Sequence, residues 1–317
     1  MTPATGDAVL ALSFTTDLVS PVINGLIYGS AYGLLALGIV LIYKSNRFFN
    51  FAIAEVGTVS LLVAQAFREG RGVFPRLPFP VACVLGVTAG VLVSLLTERL
   101  VIRPLFRAAR VTLVVATAGV ALLLIQLELF LSGSEGLLQF TPLSRSQLVR
   151  VGSAQITITE VLLVLSLVGA GIAAVAFFRT RYGTAVLAVS QEPTAASAVG
   201  ISVGRVSMLT WGLAGLLGGL AGVAYAPKSF NVTPALLTFG SPVLIFAFVA
   251  AVLGGMTSLA GAFVGGVLLG IVEQFALVTK NNIDALSSVP GFSNLIVFIL
   301  LLVVLLVRPQ GLLGKEA

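Results

Sequence analysis

The sequence predicts an all-helical integral membrane protein that crosses the bilayer about eight to ten times. Of the 317 residues, 58% are hydrophobic and only 9% are charged, whereas charged residues make up about a quarter of a soluble domain. The mean hydropathy of +1.10 agrees with this composition. The apolar stretches run for about 20 residues without alternating, which favours spanning helices over barrel strands.

About nine apolar stretches follow one another along the chain. They are predicted as spans near 18–43, 48–67, 78–97, 111–131, 160–178, 206–226, 242–258, 261–279 and 292–307. The second, seventh and eighth are the least regular. Asn50 and Glu55 interrupt the second, while Gly254, Gly255 and Gly261 leave almost no loop between the seventh and the eighth.

The distribution of basic residues predicts the orientation of the chain. About nine alternating spans place Lys44, Arg47 and three basic clusters on one side, which the positive-inside rule assigns to the cytoplasm. The clusters are Arg99, Arg103, Arg107 and Arg110, then Arg179, Arg181 and Arg205, then Arg308 and Lys315. The N-terminus, which has no basic residue before Lys44, is therefore predicted outside and uncleaved, and the C-terminus in the cytoplasm.

The composition also disfavours several classes of function. The net charge of +6 and the pI near 9.9 fit basic cytoplasmic loops and attraction to anionic headgroups, and no nucleic-acid recognition module is present. The chain has no His and a single Cys, Cys83. It therefore offers no intrachain disulfide, no metal site and no Ser-His or Cys-His nucleophile. We predict no catalytic residue, no metal and no cofactor.

Glycines at a spacing of four residues recur in the later spans, where they would let helices approach closely. The pairs are Gly215 with Gly219, Gly218 with Gly222, Gly261 with Gly265 and Gly266 with Gly270. We expect these glycines to pack helices within one subunit or against a second one. A direct role in lining a solute path is the alternative.

Three carboxyl groups, those of Glu55, Glu128 and Glu273, lie within or beside apolar stretches. A charged residue costs about 2.5–3.5 kcal/mol at the membrane centre, so these groups should face protein, water or each other. They are candidates for function. The structural alternatives are that Glu128 lies near the outer interface, that Glu55 caps a broken helix after Asn50, and that Glu273 beside Gln274 makes a plain structural pair.

One long interior segment, residues 179–205, is too polar and too interrupted to stay in a membrane. It reads RTRYGTAVLAVSQEPTAASAVGISVGR and predicts two short helices, because Pro favours the first turn of a helix and Gly the position beyond its end. A basic, partly helical hairpin between two spans is a surface that a soluble motor protein could push. The alternative is an amphipathic hairpin lying on the membrane.

Four segments carry a family resemblance. They are NGLIYGSAYGLLALGIVLIYKSNRFFNFAIAEVG at 24–57, GTAVLAVSQEPTAASAVGIS at 183–202, LGGMTSLAGAFVGGVLLGIVEQ at 253–274 and RPQGLLG at 308–314. In this order they resemble the branched-chain amino acid ABC transporter permeases of the smaller, LivH-like type, along nearly the whole chain. Permeases for urea, short amides and, more distantly, simple sugars share much of this pattern.

The resemblance implies one transmembrane permease domain over residues 1–317, in the bacterial inner membrane. Its expected partners are a homologous second permease or a second copy of this chain, cytoplasmic ABC ATPase subunits, an extracytoplasmic solute-binding protein and membrane lipid. ATP hydrolysis would take place on the separate ATPase subunits. The pathway would open by alternating access.

The ATPase would act on a cytoplasmic coupling loop at about 179–205, a compact knob that fits a groove of that subunit. By the resemblance, its residues are Gly183, Val186, Leu187, Ala188, Glu192, Pro193, Ala196 and Gly200. The family often has Asn where this chain has Glu192, so the role of Glu192 is open.

The resemblance also puts the translocation pathway among the first two spans and the later Gly-rich ones. The polar residues expected to line it or its gates are Asn24, Tyr28, Tyr32, Asn50, Glu55 and Glu273. The sequence therefore predicts an importer permease for branched-chain or other amino acids. An importer permease for urea or short amides, an ion-coupled secondary transporter that titrates Glu55 or Glu273, and a scaffold subunit without a pathway are the alternatives.

Overall fold

A computed structural model of the chain describes residues 19–70, 74–106, 108–132, 147–151, 154–225, 242–283, 286 and 288–314. The predicted helical membrane fold is confirmed, and the described residues add one small antiparallel hairpin of two strands. Arg107 and Lys315, which contributed to the predicted basic clusters, lie outside the described residues.

The elements in chain order are α1 (Val19–Asn46), α2 (Ile53–Glu69), α3 (Phe79–Thr97) continued by a π-helical turn (Glu98–Ile102), α4 (Arg110–Ser132), β1 (Gln147–Val151), β2 (Ala154–Thr157), α5 (Ile158–Phe178), α6 (Arg181–Gln191), α7 (Pro193–Ala198), α8 (Val203–Tyr225), α9 (Pro242–Gly254), α10 (Leu259–Asn282) and α11 (Phe292–Val307).

Each predicted span corresponds to a helix, but the helices differ in length. Among the described residues, six helices are long and apolar enough to cross a membrane: α1, α3, α4, α5, α8 and α10. The helices at the other three predicted spans are shorter, with 17 residues in α2, 13 in α9 and 16 in α11. The second and seventh predicted spans are thus short, whereas the eighth is a regular helix of 24 residues.

Helix α1 forms the core of the bundle. Of its most apolar window, 89% is buried, against 22% for α3 and 11% for α5. It packs against α5, α8, α9 and α10. The outer helices expose large apolar side chains such as Phe130, which is 82% exposed, and Ile172, which is 67% exposed. This distribution fits a bundle whose rim faces lipid, where close van der Waals packing rather than water exclusion holds helices together.

Glycines bring the backbones of α1 and α10 into direct contact. A Cβ atom added at Gly29 would lie 2.7 Å from the Gly266 carbonyl oxygen, and one at Gly25 would lie 2.6 Å from the Ile271 Cα atom. Gly270 faces the backbone of α1 in return. The predicted packing role is confirmed within this one chain, and Gly218, Gly222, Gly215, Gly219, Gly261 and Gly265 make similar approaches between α8, α2, α3, α9 and α10.

The basic regions meet at one end of the bundle. Lys44 Nζ at the end of α1 donates to the Thr257 carbonyl oxygen between α9 and α10 at 3.2 Å. Arg103 Nη2, after α3, donates to the Gly204 carbonyl oxygen at the start of α8 at 3.0 Å. This grouping is what alternating spans require of loops that share one side of a membrane.

The tail after α11 returns to the end of α9. The backbone N–H groups of Leu312 and Leu313 donate to the carbonyl oxygens of Leu253 and Gly254 at 2.7 and 3.1 Å. A helix end leaves its last carbonyl groups without helical partners. The tail supplies two of the missing donors.

Candidate translocation and coupling sites

Helices α1 and α10 place Tyr32 against Glu273. The Tyr32 hydroxyl donates to Glu273 Oε2 at 2.7 Å. Tyr32 is 1% exposed, whereas the Glu273 side chain is half-buried. Larger side chains at the glycines between these helices would force them apart. The glycine packing therefore brings together two residues that the sequence suggested separately.

Aromatic rings surround this contact. The Tyr225 ring, at the end of α8, lies 5.9 Å from the Tyr28 ring and 6.4 Å from the Tyr32 ring between centroids. Phe246 of α9 packs edge-to-face on Tyr32 at 5.3 Å. Such edge-to-face pairs fix the relative orientation of the rings. The helices α1, α8, α9 and α10 thus converge on one aromatic and carboxyl group.

Residues Asn24, Tyr28 and Tyr32 follow one another at a spacing of four on α1. This spacing puts them on one face of the helix. Asn24 and Tyr28 are half-buried. The polar stripe predicted for the first span therefore points toward the same region of the bundle as Glu273.

Two members of this group, Tyr225 and Glu160, were missed by the sequence reasoning. Glu160 lies in the first turn of α5, and its carboxyl group acts electrostatically on Tyr28 together with that of Glu273. An aromatic residue at the end of a span is typical of a membrane interface, and an acidic residue suits any helix N-terminus. Neither local pattern indicates a site.

Asn50 organises the buried segment between α1 and α2. Its Oδ1 atom accepts a hydrogen bond from Ala52 N at 2.9 Å, and Phe51 N donates to Thr117 Oγ1 of α4 at 3.2 Å. Asn50 is 3% exposed and Thr117 is 0% exposed. Non-helical backbone at membrane depth needs such partners. The segment is therefore fixed by side chains from α4 and from its own turn.

Glu55 and Glu128 face each other between α2 and α4. Each is 1% exposed, and the two carboxyl groups interact electrostatically. Pairing is one of the surroundings expected for carboxyl groups in apolar spans. Glu128 is shielded by protein rather than open to the headgroup region.

The predicted coupling loop, residues 179–205, folds mainly as the two helices α6 and α7. Thr180 Oγ1 accepts from Gly183 N at 3.3 Å and caps α6. Glu192 Oε1 accepts from Thr194 N at 3.3 Å and caps α7, with Pro193 as its first residue. Glu192 therefore has a structural role as a helix cap. Beyond α7, Gly200 has a φ of +87°, in the left-handed region that favours glycine.

The apolar side of the coupling loop faces the bundle. Val186, Val189 and Ala196 are buried and pack against Phe177 and Phe178 at the end of α5. Leu187 and Ala188 are half-buried. The exposed surface of the loop includes polar residues and also Tyr182 and Val199, which are 62% and 76% exposed.

The end of α1 contacts the coupling loop. Arg47 Nε donates to the Ser190 carbonyl oxygen of α6 at 3.4 Å, and Lys44 Nζ lies 4.7 Å from the centroid of the Phe178 ring. Tyr32 is about 22 Å away along the axis of the same helix, at 1.5 Å per residue. One rigid element thus contacts both groups of residues.

The chain matches the family described as branched-chain amino acid transport system / permease component over residues 22–305. The probable branched-chain amino acid transport permease protein LivH of Methanocaldococcus jannaschii is 28% identical over 304 residues, covering 92% of this chain and 91% of its own. The high-affinity branched-chain amino acid transport system permease protein LivH of Escherichia coli K12 is 30% identical over 306 residues, covering 92% and 94%.

A solved structure, PsaBC from Streptococcus pneumoniae in complex with Fab, covers 92% of this chain and 91% of its own, with a TM-score of 0.46 and 17% identity. The family match is the stronger finding, since it includes the Tyr32–Glu273 contact, the coupling loop and nearly all of the bundle. This multi-pass membrane protein therefore belongs to the family of branched-chain amino acid transport system permease components.

Proposed function

We propose that this chain forms the translocation pathway of an ATP-driven importer for branched-chain amino acids. The observation that carries the proposal is the Tyr32–Glu273 contact, which sets a hydroxyl and a carboxyl group among aromatic rings inside the bundle. The names of the relatives, which are branched-chain amino acid permeases, support this choice of solute. A solute that passes through the pathway without binding tightly needs only a few polar contacts of this kind.

The pathway runs beside α1, with Asn24, Tyr28, Tyr32 and Glu273 along it. Its opening requires α1 to move relative to α10. The contact of Arg47 with Ser190 supports a mechanical link between α1 and the coupling loop. Movement of the loop would then change the distance between Tyr32 and Glu273, which is the alternation of access that an importer needs.

The coupling loop is the docking surface for a cytoplasmic ATPase subunit. Its inner side is buried against α5, so the partner contacts the outer surface that carries Tyr182 and Val199. The complete importer also contains a second permease, either homologous or identical to this chain, and an extracytoplasmic binding protein that selects the solute. Such a complex belongs in the bacterial inner membrane.

Copurification from native membranes followed by reconstitution tests the proposal. We expect an ATPase to copurify, and we expect leucine uptake into proteoliposomes only with ATP and the binding protein. A Val199→Arg variant should hydrolyse ATP with little uptake, while Leu313→Arg, a half-exposed apolar site on the tail, should behave as the wild type. Uptake driven by a pH gradient without ATP would overturn the proposal in favour of ion-coupled transport.

A further inference from the structure

We propose that Arg103 and its partner Glu98 are positioning residues that link the end of the coupling loop to helix α3. We name these two residues, together with Gly204, the α3 anchor. The inference rests on the proposed function and adds a second mechanical connection beside that of Arg47 with Ser190. Through the α3 anchor, movement of the coupling loop is transmitted to α3 and α8 as well as to α1.

Arg103 contacts two partners at once. Its Nε atom lies 3.6 Å from Glu98 Oε1, and its Nη2 atom donates to the Gly204 carbonyl oxygen at 3.0 Å. Gly204 lies at the end of the coupling loop and in the first turn of α8. The planar guanidinium group presents several donors in a rigid fork, so it can serve a carboxylate and a carbonyl group together. One side chain therefore holds the loop to α3.

The carboxyl group of the α3 anchor is buried. Glu98 is 0% exposed, whereas the Arg103 side chain is 37% exposed. Removing a carboxylate from water is costly, so a buried one needs a partner. Arg103 makes the larger electrostatic interaction with Glu98, and Arg99 makes a smaller one. The buried carboxylate therefore holds the guanidinium group in place, and the guanidinium group holds Gly204.

A π-helical turn brings Glu98 and Arg103 to the same side of α3. Its hydrogen bond joins Arg103 N to the Glu98 carbonyl oxygen at 2.7 Å. In a regular α-helix, two residues five positions apart would lie about 140° apart around the axis. Turns of this kind are rare and occur frequently at functional sites. The irregular end of α3 thus makes the contact with the loop possible.

Helices α3 and α8 are joined at a second level inside the bundle. Ser94 Oγ of α3 donates to the Trp211 carbonyl oxygen of α8 at 2.6 Å, and Ser94 is 2% exposed. A Cβ atom added at Gly215 would lie 2.6 Å from Ser94 Cβ, so the two helices approach closely. A displacement of Gly204 therefore moves α3 and α8 as one unit.

The far end of α8 reaches the proposed pathway. Tyr225 ends this helix, and its ring lies 6.4 Å from the Tyr32 ring between centroids. Gly204 is about 32 Å away along the same helix, at 1.5 Å per residue. Helix α8 thus gives the ATPase a route from the coupling loop to the pathway that does not pass along α1.

The test compares ATP hydrolysis with ATP-driven leucine uptake by the copurified importer in proteoliposomes. Arg103→Gln combined with Glu98→Gln removes both charges, so no buried carboxylate is left without its partner. We expect the uptake per ATP hydrolysed to fall about tenfold, from the loss of one charge-assisted hydrogen bond. Hydrolysis itself should continue near the wild-type rate, because the docking surface of the loop is unchanged.

Gly204→Ala disturbs the α3 anchor without changing a charge. An added Cβ atom would lie 2.8 Å from Arg103 Nη2, so the guanidinium group must move away from the carbonyl oxygen that it binds. Ala favours helices more than Gly does, so α8 should not be weakened. We expect the uptake per ATP to fall severalfold without a decrease in melting temperature. A purely structural role of the anchor would not separate these two quantities.

Arg110→Gln is the matched control, since Arg110 belongs to the same basic cluster and is exposed at the start of α4. It should keep the wild-type uptake per ATP. Wild-type values in both the double variant and Gly204→Ala would overturn the inference and leave the proposed function intact. Should the double variant fail to assemble, Gly204→Ala alone decides. Absence of ATP-dependent leucine uptake by the wild type would instead remove the proposed function and the inference with it.

A second measurement does not depend on transport. Spin labels are attached to Leu100→Cys on the π-helical turn and to Ser202→Cys on the coupling loop, both exposed positions. Cys83→Ser removes the single native cysteine. We expect a narrow distribution of label distances with the native anchor and in Arg110→Gln, and a broader one in Gly204→Ala. Equal widths in the three proteins would contradict the inference.

Discussion

Two carboxyl contacts within this bundle look alike in sequence and differ in structure. Glu273 is half-buried, bonded to the Tyr32 hydroxyl and surrounded by rings. Glu55 and Glu128 are each 1% exposed and interact electrostatically with each other. The Glu273 side chain is partly exposed, whereas the side chains of Glu55 and Glu128 are fully buried. The difference favours solute handling for Glu273 and helix pairing for Glu55 and Glu128.

The largest effect is expected from separating α1 and α10. Gly270→Leu places a side chain into the backbone of Gly25 and Gly29, and overpacking of this kind costs about 1–3 kcal/mol or more. It should abolish uptake and lower the melting temperature in detergent. Gly119→Leu on α4, where an added Cβ atom meets nothing within 4 Å, should leave both quantities unchanged. Similar losses for the two variants would contradict the packing argument.

The pairing of Glu55 with Glu128 is tested by a double-mutant cycle of Glu55→Gln, Glu128→Gln and the variant that carries both substitutions. Glu128→Ala leaves Glu55 buried without this partner, at a cost of about 1–3 kcal/mol. Glu55→Gln combined with Glu128→Gln allows the two amide side chains to form a hydrogen bond and should recover most of the stability. Thermal unfolding of the purified permease measures both. Additive losses in the double variant would show that the two residues do not depend on each other.

The Tyr32 hydroxyl should matter more for transport than for folding. Tyr32→Phe removes one hydrogen bond, worth about 0.5–1.5 kcal/mol, and we expect leucine uptake to fall severalfold with a small change in melting temperature. Tyr43→Phe is the control, because the Tyr43 ring stacks on Phe49 at 5.1 Å and Phe preserves that stacking. Unchanged uptake by Tyr32→Phe would show that the Tyr32–Glu273 contact has only a structural role, as we expect for Glu55 and Glu128.

The smallest effect concerns the cap of α7. Glu192→Ala removes the acceptor for Thr194 N, and a lost helix cap costs about 0.5–2 kcal/mol, nearer the lower limit for an exposed side chain. We expect faster hydrogen exchange at the amides of α7 and a modest loss of coupled uptake. Glu192→Asn, which keeps a side-chain acceptor, should restore slow exchange. Equal exchange in wild type and Glu192→Ala would exclude the capping role.

The helices and the glycine contacts could be predicted because both depend on local patterns. An apolar stretch of sufficient length must be helical in a membrane, and glycines at a spacing of four leave a smooth face. The sequence even suggested Tyr32 and Glu273, because polar groups in apolar spans are conspicuous. The two short central helices, α2 and α9, were marked by Asn50 and by Gly254 with Gly255.

Contacts between distant residues could not be predicted in the same way. Nothing in the sequence pairs Glu55 with Glu128, and nothing distinguishes Tyr225 from an ordinary interface tyrosine. The apolar side of α6 was recognised, but which surface covers it is decided by Phe177 and Phe178 at the end of α5. The role of Glu192 was open from the sequence. The structure shows that its side chain accepts a hydrogen bond from Thr194 N and caps α7.

The return of the tail to α9 sets an order for biosynthesis. Leu253 and Gly254 receive their donors from Leu312 and Leu313, residues that are translated well after α9 has left the ribosome. Until then the two carbonyl groups must accept hydrogen bonds from water or from other donors. This part of the protein is therefore completed only in the final steps of synthesis.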